Sequence, residues 1–416
     1  MKFPNTLRAL NSRNYRLFFT AEVISMTGLW MHRIAMGWLV FRLTNSNSAL
    51  GIMDFAASLP ICLVSPFAGA VIEHIDLRRV LIFLQSCCVV LAFTLAAFTI
   101  TGFVVFKILV AVAVLRGLID AFDLPSRYSL VSYMVDRRED VSNAVALNST
   151  VFNSARMIGP TVGGFVIKSF GEGFCFVSNG LCYIATICAL RAMKMKAPPI
   201  GSKSSKSNPL RETLEGLRIA RDFAPYRYFL ILIMITGFFA FPSIVLMPAM
   251  AKSVLHGDPG TLGLLLMGVA MGALTGSLIM ASLTDISKCS WWCTRTCAAF
   301  GAAVAIFSFS RSAAVGLVLA APVGFCMTCC CISCNTLLQS MTPAASRSRI
   351  MALYTLAIIG IPPFGSLSAG KLGDWLGTSY SLLICGILCT INALYFLRKI
   401  DRVQNLIVDA LRREEE

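Results

Sequence analysis

The sequence predicts an all-α membrane protein with twelve transmembrane helices in two pseudo-symmetric six-helix bundles. Three observations predict it. The mean hydropathy is +0.74, and 56% of the 416 residues are hydrophobic against 14% charged, outside the range of water-soluble domains. The apolar residues gather into twelve segments, 15–40, 48–72, 80–101, 104–124, 142–168, 173–191, 228–251, 260–283, 293–310, 313–338, 350–371 and 378–397. Most reach the ~20 residues that a helix needs to cross hydrocarbon. Finally, of 36 Lys plus Arg, only Arg42, Lys168, Lys252, Arg311 and Lys371 fall in one set of alternate loops. Arg33, Lys107, Arg116 and Arg156 lie inside segments, and the rest occupy the other loops and both ends. That is the positive-inside pattern, and it puts both termini in the cytoplasm. The net charge of +15 is therefore topological, not a nucleic-acid-binding surface.

The order of segments divides the chain. Residues 1–14 form a basic cytoplasmic arm with no short apolar core, so no cleavable signal peptide is expected. Residues 15–192 form the first bundle, 193–225 a cytoplasmic linker, 226–398 the second bundle and 399–416 a cytoplasmic tail. The linker mixes Lys, Pro, Gly and Ser before an amphipathic helical stretch around Arg211 to Arg218.

In the first span, Glu22 sits in the inner half, and His32 and Arg33 in the outer half. Asp54 lies at the outer end of the second span, at a depth similar to Arg33; Pro60 and Pro66 interrupt that helix. In the fourth span Arg116, Asp120 and Asp123 are spaced i, i+4, i+7 and share one face. The fifth span carries Asn148, Asn153 and, near mid-depth, Arg156. An arginine at that depth faces a wet or paired interior, because lipid exposure is costly. Gly159 and Gly163 let a neighbouring helix approach closely, and Pro160 removes one backbone donor and can bend the helix. Tight packing around one structural ion pair is the other reading of this span.

The second half has no ionisable residue deep in its first, second, fourth or sixth span. Its cavity candidates are Phe238, Phe239, Phe241, Met247, Asn335 and Gln339, with bends at Pro242, Pro248 and the Pro362–Pro363 pair. The sixteen cysteines fall mostly inside spans, five of them between Cys326 and Cys334. No His or carboxylate accompanies that cluster, so it is read as packing rather than metal binding. No metal and no cofactor is expected. An enzyme is disfavoured: His32, His74 and His256 are scattered, and no Ser/His/Asp set is evident.

The short loop from Gly69 to Leu81 resembles the cytoplasmic loop 2–3 signature of the major facilitator superfamily: a glycine, an acid, then paired basic residues. Glu73 stands where that family usually has Asp, and His74 where it often has Arg. The resemblance implies a cytoplasmic gate of Glu73, Asp76, Arg78 and Arg79, with Arg78 or Arg79 on Asp123. Gly159, Pro160, Gly163 and Gly164 match the fifth-span motif associated with exporters and antiporters, so they are the expected helix-bend motif. The runs 121–127, 143–149 and 156–160, with 351–356 and 365–370, look like the branch containing the enterobactin exporter and related efflux proteins.

The resemblance implies the major facilitator fold, alternating access, and proton-driven export of a small organic molecule such as a siderophore or an amphipathic drug. Arg116, Arg156, Asn148 and Asn153 would form the polar wall of the substrate site, and Phe239 and Phe241 the apolar wall. Glu22, Asp54 and Asp120 are the proton-coupling candidates. Glu22 leads, since it lies on a different helix from Arg116 and Arg156 and is free to separate from them. Asp120, one turn from Arg116, is expected to stay ionised and structural. A static network of Glu22, Asp120, Arg116 and Arg156 is the bland alternative. The expected partners are a small-molecule substrate, protons and the lipid bilayer, and the expected form is a monomer in a bacterial inner membrane. Uptake by the same fold, a lysolipid flippase and a membrane enzyme or receptor remain as alternative functions.

Overall fold

A computed structural model of the chain describes residues 4–72, 75–194, 209–283 and 288–415. Among these residues the regular elements are all helical. The first half holds α1 (Arg13–Thr44), α2 (Asn47–Ile72), α3 (Leu77–Ile100), α4 (Phe106–Met134), α5 (Val141–Phe170) and α6 (Glu172–Ala192). The amphipathic α7 (Pro209–Asp222) precedes α8 (Ala224–Phe239). Then come the short α9 (Pro242–Val245) and α10 (Met247–Ala249), followed by α11 (Pro259–Ala281), α12 (Cys289–Phe307) and α13 (Ala313–Ser340). The chain ends with α14 (Ala344–Thr355), α15 (Pro362–Leu376), α16 (Thr378–Leu397) and α17 (Ile400–Glu415).

Each of the twelve apolar segments is helical. Eight helical stretches are long and apolar enough to cross a membrane by length and composition alone. The other four segments are α1, α4, α5 and α12, which carry Glu22 and Arg33, then Arg116, Asp120 and Asp123, then Arg156, then Arg295. Their ionisable side chains lower the hydropathy of helices otherwise long enough to span.

Proline marks the breaks. The seventh segment is not one helix. It stops at Phe239, restarts at Pro242 and again at Met247, then passes into a π turn over Met250–Val254. The eleventh is divided the same way, with a π turn over Leu356–Gly360 before the Pro362–Pro363 pair. Proline has no N–H to donate, which is why restarts coincide with it. By contrast α5 runs unbroken through Pro160 and α4 through Pro125, and α2 is not interrupted at Pro60 or Pro66 as expected.

The chain clusters into two compact units. One comprises Met1–Leu43 and Ala56–Lys206; the other comprises Thr44–Phe55 and Ser207–Glu416. The first turns of α2 thus pack within the second unit, and Asp374 of α15 caps them. It accepts from Ser46 Oγ (2.7 Å), Asn47 N (2.5 Å) and Ser48 N (3.1 Å). A carboxylate at a helix start answers orphan N–H groups and the helix dipole together. Asn47 Oδ1 accepts from Thr378, and Asp54 Oδ2 accepts from Ser366 Oγ at 2.8 Å.

Small residues set the closest approaches of the second unit. A Cβ on Gly272 would stand 1.8 Å from the Ala321 carbonyl oxygen, and one on Gly324 would stand 1.8 Å from that of Val269. Helices α11 and α13 therefore meet backbone to backbone. The cysteines fill the neighbouring interior. Cys293, Cys297, Cys329, Cys330 and Cys334 are fully buried, and their thiols contact backbone carbonyls and one another. Among the described residues no group of three or more His, Cys, Asp or Glu side chains is arranged to hold a metal ion.

Candidate functional site

The first unit buries its charges in two clusters along α4. Arg116, Asp120, Asp123 and Arg127 descend one side of this helix at spacings of four, three and four residues. The upper cluster pairs Arg116 with Asp120 at 2.7 Å, as an i, i+4 bridge. Arg116 also donates to the Tyr183 hydroxyl on α6 and to Cys88 Sγ on α3. Its guanidinium lies 5.2 Å from the centroid of the Tyr183 ring. Charge is balanced here, one cation against one carboxylate.

The lower cluster is not balanced in that way. Arg127 Nε donates to Asp123 Oδ2 at 2.6 Å, and Arg127 Nη1 donates to Glu22 Oε2 from α1. Gln85 of α3 donates to the other Asp123 oxygen at 2.7 Å. Glu22 is 8% exposed, Asp123 5%, Arg127 8% and Gln85 0%. Two buried carboxylates therefore share one guanidinium. Buried ions need partners because desolvation is costly, and in this cluster carboxylates outnumber cations.

Tyr15 adjoins this end of α1. Its hydroxyl donates to the Ala144 carbonyl and to Asn148 Oδ1 on α5, so Asn148 is held by Tyr15. Asn153 is exposed and donates to the Ser149 carbonyl one turn back. Arg156 lies over the Trp30 ring of α1, with Cζ 5.9 Å from its centroid.

Residues 5–410 match the family model described as transmembrane secretion effector. The chain belongs to that family. Among its relatives is the "Multidrug efflux pump Tap" of Mycolicibacterium fortuitum, 25% identical over 89% of this chain and 93% of that one. Another is the "Staphyloferrin A transporter" of Staphylococcus aureus, 24% identical over 64% of this chain and 66% of that protein. Among solved structures, the nucleoside transporter NupG superposes with a TM-score of 0.70 at 11% identity, covering 92% of this chain and 98% of that one. A bacterial homologue of the lysosomal transporter Spinster superposes with a TM-score of 0.67 at 13% identity, covering 96% and 98%. At such identities the likeness is one of fold. This secretion effector has the major facilitator fold and is a multi-pass membrane transporter of small molecules, not an enzyme.

Against that fold, the expected side-chain groupings come out differently. Glu22 and Asp120 do not share one cation. Glu22 is bonded to Arg127, Asp120 to Arg116, and Arg156 lies on Trp30. The bond from Arg78 or Arg79 to Asp123, expected for the state closed to the inside, is not present in this structure. Asp123 is bonded from its own helix by Arg127 and from α3 by Gln85. Arg78 instead donates to the Leu190 and Arg191 carbonyls, each at 2.7 Å. Those carbonyls end α6, where a cation meets the negative end of the helix. Arg79 is bridged to Asp76 at 3.4 Å, and Asp76 caps α3 through the Arg78 and Arg79 amides. Glu73 and its neighbour His74 lie outside the described residues.

Gly159 and Gly163 are seats for α1. A Cβ at Gly159 would meet Trp30 Cβ at 2.5 Å, and one at Gly163 would meet Ile34 at 2.6 Å. Pro160 and Gly164 are buried beside them. In the second unit Phe239 packs edge-on with Phe238 at 5.0 Å, and Phe241 with Phe300 at 5.7 Å. Residues Arg127, Gln85, Tyr183 and Trp30 were not singled out from sequence. Arg127 had a signal, since it extends the charged face of α4 by one further turn, and so did Gln85, an amide within an apolar span.

Proposed function

We propose that this transporter is a proton-coupled, alternating-access exporter of a small amphipathic organic molecule, of the siderophore or drug class. Both termini face the cytoplasm, and the membrane is the bacterial plasma membrane. The observation that carries the reading is the sharing of one guanidinium, Arg127, by the buried Glu22 and Asp123. One proton on Glu22 would balance the cluster's charge and release α1 from α4, while Asp123 would keep Arg127. A proton-dependent bond between two helices is the element that an exchange of proton for substrate needs. Asp120 stays with Arg116 and serves structure. Asp54 serves as the alternative carrier, Arg116, Arg156, Asn148 and Asn153 as the polar substrate wall, and Phe239 and Phe241 as the apolar one. Asp76, Arg78 and Arg79 serve the cytoplasmic gate through the ends of α3 and α6.

Two relatives, a multidrug efflux pump and a staphyloferrin A transporter, support the substrate class. Untargeted comparison of cells and medium, with and without the gene, identifies the compound and its direction. With that compound in proteoliposomes, Glu22→Gln is expected to keep substrate counterflow and lose accumulation driven by a pH gradient. Gradient-driven accumulation by Glu22→Gln would overturn the assignment of Glu22, and accumulation inside the cell would overturn export.

A further inference from the structure

We infer that Trp30, with Arg156 and Arg33, forms a site for an oxyanion, and that the substrate is an organic acid whose carboxylate accepts a hydrogen bond from the Trp30 indole N–H. This rests on the transport reading above and names its substrate class.

The indole nitrogen of Trp30 is buried and has no hydrogen-bond partner among the described residues. Buried donors are nearly always paired, so an orphan marks a missing acceptor. The charge around it says which kind. Arg33 Cζ lies 4.9 Å from the Trp30 ring centroid and Arg156 Cζ lies 5.9 Å from it. Both guanidiniums are stacked on the ring that bears the orphan donor. Two guanidiniums over the ring raise the local positive potential, which favours an acceptor that carries negative charge, and a guanidinium fork matches a carboxylate. Phe152 meets the indole edge-on at 5.8 Å and is 45% exposed, which gives the organic part of such an acid an apolar flank.

The depth of the two arginine-bearing helices calls for water, not lipid, on this side. Trp30 and Arg156 lie within a few Å of the midpoints of α1 and α5, by a rise of ~1.5 Å per residue. Arginine at that depth is too costly to face hydrocarbon. Arg33 on α1 and Ser149 and Asn153 on α5 are exposed, and Trp30 and Arg156 are half-buried. The sequence builds the site through Gly159, since any Cβ there would collide with Trp30 at 2.5 Å. The glycine of the fifth-span motif is thus what admits the indole beside Arg156.

The test uses the full chain in phosphatidylcholine nanodiscs, with Trp38, Trp291, Trp292 and Trp375 changed to Phe so that Trp30 alone emits. Citrate and phenylacetate are expected to give a saturable change in its emission, and phenethylamine none. By calorimetry in the otherwise native chain, Trp30→Phe keeps the ring, loses the N–H, and is expected to bind both acids about tenfold more weakly. Arg156→Gln is expected to weaken them at least as much. Equal affinity in Trp30→Phe, no saturable response to either acid, or the same response to the amine would overturn the site. A lipid phosphate offers similar chemistry, so the titration is repeated with phosphatidylglycerol in the discs. Loss of the acid response there, with the response to lipid abolished by Arg156→Gln, would make the occupant a headgroup and overturn the substrate assignment. Acid binding without proton-driven flux of any compound would leave the site standing and sink the transport reading. Proton-driven flux of an acid that is indifferent to Trp30→Phe would do the reverse.

Discussion

Replacing Arg127 by glutamine tests the charge count of the lower cluster most directly. In the native chain Arg127 serves two carboxylates, Glu22 and Asp123, all three less than 10% exposed. Arg127→Gln leaves both acids buried without their cation. Breaking a buried pair from one side costs about 3–5 kcal/mol, because the remaining charge is uncompensated. Glu22→Gln acts in the opposite sense. It leaves Arg127 with Asp123, and one cation then faces one carboxylate. Its expected cost is that of one hydrogen bond, about 1 kcal/mol. The asymmetry is therefore worth roughly 2–4 kcal/mol, the difference of those two figures. With about 2–4 °C per kcal/mol for a unit near 200 residues, Arg127→Gln should melt on the order of 10 °C below Glu22→Gln. The buried cysteines supply the assay, since a thiol-reactive dye reports their exposure on heating. The double variant Glu22→Gln/Arg127→Gln should recover part of the loss, because one uncompensated charge is removed. Equal melting of the two single variants, or a larger loss in Glu22→Gln, would refute the shared-guanidinium account.

Two further outcomes follow from geometry outside that cluster. Asp374→Asn removes the carboxylate that caps α2, an exposed site where about 1–2 kcal/mol is expected; hydrogen exchange at the Asn47 and Ser48 amides should speed by about fivefold to thirtyfold, and unchanged exchange would show that Asp374 is not their protection. Gly272→Ala should lower the melting temperature despite alanine's helix preference of roughly 1 kcal/mol, because its Cβ would stand 1.8 Å from the Ala321 carbonyl and force α11 from α13; a neutral or stabilising result would mean that these helices part freely.

How much of this was legible in the sequence depends on the distance over which each feature is decided. The helical class and the places of the apolar helices were legible because hydropathy is a local sum, and the restarts at Pro242 and Pro362 could be read from residue chemistry, whereas α2 runs on through Pro60 and Pro66. The pair Arg116–Asp120 was legible by the same locality, at i, i+4 on one helix. Asp123–Arg127 obeys the identical rule, yet the loop signature drew attention to Arg78 and Arg79 as partners for Asp123. A bond within one helix needs no tertiary arrangement, so the i, i+4 spacing alone places Arg127 within reach of Asp123. What the sequence could not show is rotation. Whether Glu22 meets Arg116, Arg156 or Arg127 depends on how α1 turns about its axis against α4, and a turn of one residue moves a side chain by 100°. The same uncertainty hid Trp30, which is an ordinary apolar residue of a span until α1 is seated against Gly159 and Gly163. Those glycines set the contact of α1 with α5 and thereby which side chains face Arg156. The fifth-span motif is therefore informative at two levels: its residue types mark the family, and its missing side chains fix the position of α1, whose Glu22 and Trp30 carry the proton and substrate roles proposed above.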